Sequence, residues 1–146
     1  MNEIQENRKK SNLVIVAGMN NALKCSKGKA ESLSHRIVKF WICNYCWENS
    51  IDFATEVVFK DNQRADIVIK DWAVCIEILG SETKNRFINK SYPLPTIPIQ
   101  STTGNDKLIT MLADLHAMNG KGWDFYLKKF IEEDCKETES YKDVVH

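Results

Sequence analysis

Two carboxylates interrupt two runs of aliphatic residues in "RADIVIKDWAVCIEILGSE", residues 64–82. Burying an ionised carboxylate in apolar surroundings is costly unless something compensates its charge, so Asp66 and Glu77 need a reason to be there. Side chains alternate across a strand, which puts Asp66 and Val68 on one face of the first arm, and Cys75, Glu77 and Leu79 on one face of the second. With Lys70-Asp71 as a two-residue turn, Ile69 pairs with Trp72 and Asp66 pairs with Cys75. Glu77 is then the diagonal neighbour of Asp66, about 7–8 Å away at the backbone. A turn of odd length difference would reverse this parity. Two such acids would repel each other, and a divalent cation relieves the repulsion; hard oxygen donors favour Mg²⁺ or Mn²⁺ over zinc. Glu56 on the preceding strand is placed to join the same face. Pairing of Asp66 with Arg64 or Arg36, and solvation of Glu77 on an edge, is the alternative without an ion.

These acids are positioned by a recognisable succession of elements. From Glu31 to Asn49, Leu33, Ile37, Phe40, Trp41, Ile42 and Tyr45 recur at three- and four-residue steps, predicting a helix with a broad apolar face. His35 and Lys39 lie one turn apart on the edge of that face, with Arg36 farther round. Three β-rich runs follow, "IDFATEVVFK", "RADIVIK" and "WAVCIEIL". A short helix is expected from Ser81 through "SETKNRFINK", then an extended "LPTIPIQ" whose Pro98 suits an edge strand. Two amphipathic helices, about Asp106 to Met118 and Trp123 to Cys135, are separated by "NGKG". "NLVIVAGM" reads as a further strand, and residues 1–11 read as a loose polar segment preceding a single domain over 12–146. The expected fold class is α/β, a mixed central β-sheet flanked by helices. Its core order is α-β-β-β-α-β over about residues 31–100, with extra C-terminal helices at 105–135.

The chain's 146 residues suffice for one sizeable core, and its 43% hydrophobic and 27% charged residues are those of a globular protein. No apolar run is long enough to cross a bilayer, and "MNEIQENRKK" lacks the apolar stretch of a secretory signal, so an intracellular, non-membrane protein is expected. Five irregularly spaced cysteines suit a reducing compartment. Cys43 and Cys46 form a CxxC inside the helical stretch without a second pair at zinc-ribbon spacing, and read as buried free thiols rather than a metal or redox site. Gly28-Lys29 is not a phosphate loop, because Leu23 stands where the first glycine belongs and Ala30 replaces the hydroxyl residue. Net charge is zero, but residues 1–40 hold eight Lys or Arg against three Glu, whereas Glu132 to His146 holds six acids against two Lys. That asymmetry leaves room for a polyanion-facing side.

The joint order of the "HRIVK" helix, "TEVVF", "RADIVI" and "VCIEILGSET" resembles the PD-(D/E)XK nuclease superfamily, over roughly residues 31–100. The resemblance implies a restriction-endonuclease-like core and hydrolysis of DNA phosphodiester bonds, by endo- or exonuclease action. It likens the chain to small nucleases encoded by viruses or mobile elements. On that reading Asp66 and Glu77, with the backbone carbonyl of Ile78, hold Mg²⁺ or Mn²⁺. Leu79 departs from the pattern, standing where the family usually carries a lysine. Lys39 is the preferred source of the missing basic group, with His35 and Lys84 as alternatives; as a helix-edge residue, Lys39 also suits a snorkelling surface position. Arg36, Lys84, Arg86 and Lys90 would hold DNA phosphates without reading sequence. A nuclease fold that binds DNA or a protein without cutting is the alternative that Leu79 supports. A protein-interaction module whose tryptophans, especially Trp41, Trp47 and Trp123, form an interface, with a homodimer as one case, is a further reading.

Overall fold

β-Branched and aliphatic residues dominate three consecutive segments, and each becomes a strand buried on both faces. The computed structural model describes residues 2–20, 32–80, 87 and 90–132. Helix α1 (Glu3–Val14) leads into β1 (Ile15–Met19), and α2 (Leu33–Glu48) precedes β2 (Phe53–Phe59), β3 (Arg64–Ile69) and β4 (Val74–Leu79). Then come β5 (Thr96–Gln100), α3 (Asn105–Ala117) and a helix at residues 123–132, α4. The five strands form one mixed sheet in the order β1-β2-β3-β4-β5, antiparallel from β1 to β4 and parallel between β4 and β5. The α/β class with a mixed sheet is therefore as the sequence suggests, and β5 with its Pro98 lies at an edge. The helix expected from Ser81 falls mostly outside the described residues, as do Lys84 and Arg86.

One face of the sheet packs on α2 and α3, where Ile67, Ile69, Ile76 and Ile78 meet Val38, Ile42, Cys43, Leu108 and Leu112. The other face gathers a smaller cluster with Ala54, Val57, Phe59, Ala65, Val68 and Cys75. The face of α2 that packs differs from the one expected. Its buried residues are Val38, Lys39, Ile42, Cys43 and Cys46, while Leu33, Ile37 and Phe40 are exposed. Apolar residues surround most of this helix, so periodicity alone does not choose the face. Cys43, Cys46 and Cys75 are buried free thiols, and burial pushes Cys43 and Cys75 up to about 12.

Residues expected to be loose at the N-terminus are helical from Glu3, and "NLVIVAGM" is a strand only from Ile15. Asn2 Oδ1 accepts from the Gln5 N–H at 2.8 Å while Gln5 Oε1 accepts from the Asn2 N–H at 3.1 Å, a reciprocal cap. The helix is tied down by polar rather than apolar contacts, hence the absence of a hydrophobic period. Asn7 Nδ2 donates to the Asp71 carbonyl at 2.8 Å, Ser11 Oγ to the Lys70 carbonyl at 3.2 Å, and Arg8 forms an ion pair with Asp71. All three partners sit in the β3–β4 connection. The same connection meets the α3–α4 turn, where Gly120 has φ +88° and a Cβ would lie 2.5 Å from Trp72 Cβ.

Candidate functional site

The β3–β4 connection is longer than a two-residue turn, and this resets the register. Ile69 pairs with Val74, Val68 with Cys75 and Ile67 with Ile76, leaving residues 70–73 as the connection. Continued one step, the ladder sets Asp66 directly opposite Glu77, not diagonal to it with Cys75 as partner. The shift is two residues, so the parity inferred from the sequence survives although the pairing does not. Trp72 and Ala73 are buried in the connection, with Ala73 at φ +52°, which is why it does not read as a loop.

Beyond Ile67 and Ile76 the two carboxylates take over from the ladder. The Asp66 N–H donates to Glu77 Oε1 at 2.8 Å, and the Ile78 N–H donates to Asp66 Oδ2 at 2.8 Å. Each acid thus reaches across the seam to the other strand's backbone. Asp66 and Glu77 are 5% and 8% exposed. Glu77 is flanked on its far side by Pro98 of β5, which has no N–H to donate.

A local break in strand alternation aims neighbouring groups at the same place. On β2, Ala54 and Val57 face one core although they are three residues apart; on β3, Ala65 and Val68 do likewise. Glu56 lies within the first of these steps and Asp66 within the second. The pairs Thr55–Ile67 and Val57–Ala65 bracket them, placing Glu56 opposite Asp66. Glu56 has φ +48°, a left-handed conformation uncommon for a non-glycine residue and a frequent mark of functional sites. The bend turns both acids toward α2. Lys39 Nζ donates to Glu56 Oε1 at 2.6 Å, and His35 Nε2 lies 3.4 Å from Asp66 Oδ2.

Lys39 is fully buried, so the snorkelling position is corrected: its whole length lies under the helix. Its charge opposes the upward shift that burial imposes on the neighbouring Cys43 thiol. An ammonium and a carboxylate placed together in an interior offset each other's desolvation only with close geometry, which this pair has. His35 is 12% exposed at its side chain and is the most open member of the group. Glu56 thus meets Lys39 and Asp66 meets His35 under α2, while Glu77 is linked to them through the Asp66 backbone amide. Leu79, at the usual lysine position, is 1% exposed. Arg36 and Lys90 are exposed, Arg36 on the outward side of α2 and Lys90 just ahead of β5.

The donor chemistry, two carboxylates with a backbone carbonyl nearby, matches a hard divalent ion. Among the described residues no group of three or more His, Cys, Asp and Glu is arranged to hold an ion. No helix among the described residues is long and apolar enough to cross a membrane. No family model, curated protein or solved structure matches the chain.

Proposed function

We propose that the chain is a Mg²⁺- or Mn²⁺-dependent deoxyribonuclease with a PD-(D/E)XK-type core. The observation that carries this reading is the crossing of Asp66 and Glu77 at the β3–β4 seam, with His35 beside Asp66 and Lys39 beside Glu56 on the next strand. Such a grouping of buried, mutually repelling acids with two basic residues is expensive for a merely structural role. Asp66, Glu77 and the Ile78 carbonyl would hold the ion. When bound, Mg²⁺ supplies Lewis acidity toward a phosphoryl oxygen and makes water a competent nucleophile at neutral pH.

The chain's own residues do the rest. Lys39 neutralises Glu56, so that the third carboxylate does not add its charge to a site that must accept a phosphodiester. Its ammonium also provides the basic group that Leu79 cannot. His35, the most open of the five, orients the attacking water and holds its proton at Nε2, beside Asp66. Arg36 and Lys90, with Lys84 and Arg86 outside the described residues, hold flanking phosphates, and binding weakens steeply with salt. The products are DNA fragments with 5′-phosphates. The test is cleavage of plasmid, linear and branched DNA with Mg²⁺ or Mn²⁺ by the wild type, Asp66→Ala and Glu77→Ala. Cutting that survives both substitutions would sink the assignment.

A second reading, a nuclease fold that binds DNA or a protein without cutting, is favoured by the buried Leu79 and by the engagement of both carboxylates with backbone amides. Calorimetric titration with Mn²⁺ separates the two. Heat that disappears in Glu77→Ala supports the enzyme, and no heat with the wild type supports the module.

A further inference from the structure

We propose that the outward face of α2 is a self-association seam that pairs, in parallel, with the same helix of a second copy of this chain. The face lies opposite the buried stripe of Val38, Ile42 and Cys46. Along it Leu33, Ile37, Phe40, Asn44 and Trp47 follow one another at steps of four, three, four and three residues. This is the alternation of a coiled-coil seam, sustained over two heptads. Leu33, Ile37, Phe40 and Trp47 are 73%, 38%, 41% and 48% exposed. At about 200 Å² for a large side chain, those fractions leave about 400 Å² of apolar surface on each copy. A patch of that size is comparable to the largest apolar patch on an ordinary monomer, a patch that is often functional.

The seam's one polar member selects the occupant. Asn44 falls at the position equivalent to Ile37, where a lone asparagine fixes register and two-strandedness in parallel coiled coils. It is half-buried already, and its Nδ2 donates to Glu48 Oε1 at 3.2 Å. In a parallel pair Asn44 meets its own counterpart and the two amides satisfy each other. In an antiparallel pair it would face Phe40 or Leu33 and lose that partner. A second copy is thus complementary at every position of the stripe. Both His35 ends then lie at the same end of the dimer. About 800 Å² in total is small for an interface, so association is weak and concentration-dependent.

Sedimentation equilibrium of the full chain between about 5 and 500 μM, the range such an interface requires, tests the proposal. The mass should rise with concentration from 16.8 kDa toward twice that value. Phe40→Glu, at a solvent-facing position, should leave far-ultraviolet circular dichroism unchanged and weaken association at least about tenfold. Asn44→Leu should retain association and add species larger than a dimer. A 16.8 kDa species at every concentration, or a dimer insensitive to Phe40→Glu, overturns the seam. An Asn44→Leu variant that stays strictly dimeric overturns the parallel pairing.

Discussion

Replacing Lys39 by Met keeps an apolar stem of similar length and removes one charge from a buried pair. The ammonium and carboxylate are 2.6 Å apart, with side chains 0% and 4% exposed. At an effective dielectric of about 20, unit charges at that separation attract by about 6 kcal/mol, most of it offset by desolvation in the intact protein. In the variant the desolvation of Glu56 remains and the attraction is gone. The protein escapes by protonating Glu56, which bounds the penalty. Neutralising a carboxyl of ordinary pKa near 4.3 at pH 7 requires about 3.7 kcal/mol, but only about 1 kcal/mol at pH 5. The folded variant then carries a proton that its unfolded chain releases above pH 4.3, so its stability falls as pH rises. Lys39→Met should lose about 3–5 kcal/mol at pH 7 in urea denaturation, and about 2–3 kcal/mol less than that at pH 5. The double variant Lys39→Met/Glu56→Gln should recover most of the loss. If that folded double variant still cleaves DNA, Lys39 is structural only. A single variant within about 1 kcal/mol of wild type at pH 7 refutes the buried pair itself.

The raised thiols of Cys43, Cys46 and Cys75 stay protonated in the folded chain at pH values where the unfolded chain ionises them. Stability should therefore fall from about pH 9 upward, by about 1.4 kcal/mol per thiol at pH 10, and urea denaturation of the triple Cys→Ala variant should show a flatter decline than wild type. Gly120→Ala forces a side chain into both a left-handed conformation and the backbone of Trp72, and should cost about 2–4 kcal/mol. Gly122 has a similar φ of +89° but open space around it, so Gly122→Ala should cost only about 1 kcal/mol; equal thermal shifts for the two would remove the steric argument.

The sequence made the antiparallel strands and their two acids visible because strands buried on both faces read as near-continuous apolar runs, in which a carboxylate stands out. It could not set the register, since that depended on a connection that buries Trp72 and Ala73 rather than exposing polar residues. The placement of Glu56 beside Lys39 was only partly legible. Glu56 belonged visibly to the neighbouring strand, but the left-handed residue that turns it toward α2 carries no glycine or asparagine to announce it. Helix α1 was missed because its anchors are Asn7, Arg8 and Ser11, which bind backbone and carboxylate groups of the β3–β4 connection and leave no apolar rhythm. On α2 the opposite problem arose: apolar residues on nearly every side concealed which face the core would claim.

The amides of residues 66 and 78, each held by a carboxylate of the opposite strand, give the protein a built-in reporter. Whatever draws those acids toward a visitor also pulls on the backbone protons of residues 66 and 78. Occupancy at this point would be legible as faster solvent exchange at two amides, even for a visitor with no colour and no chemistry of its own.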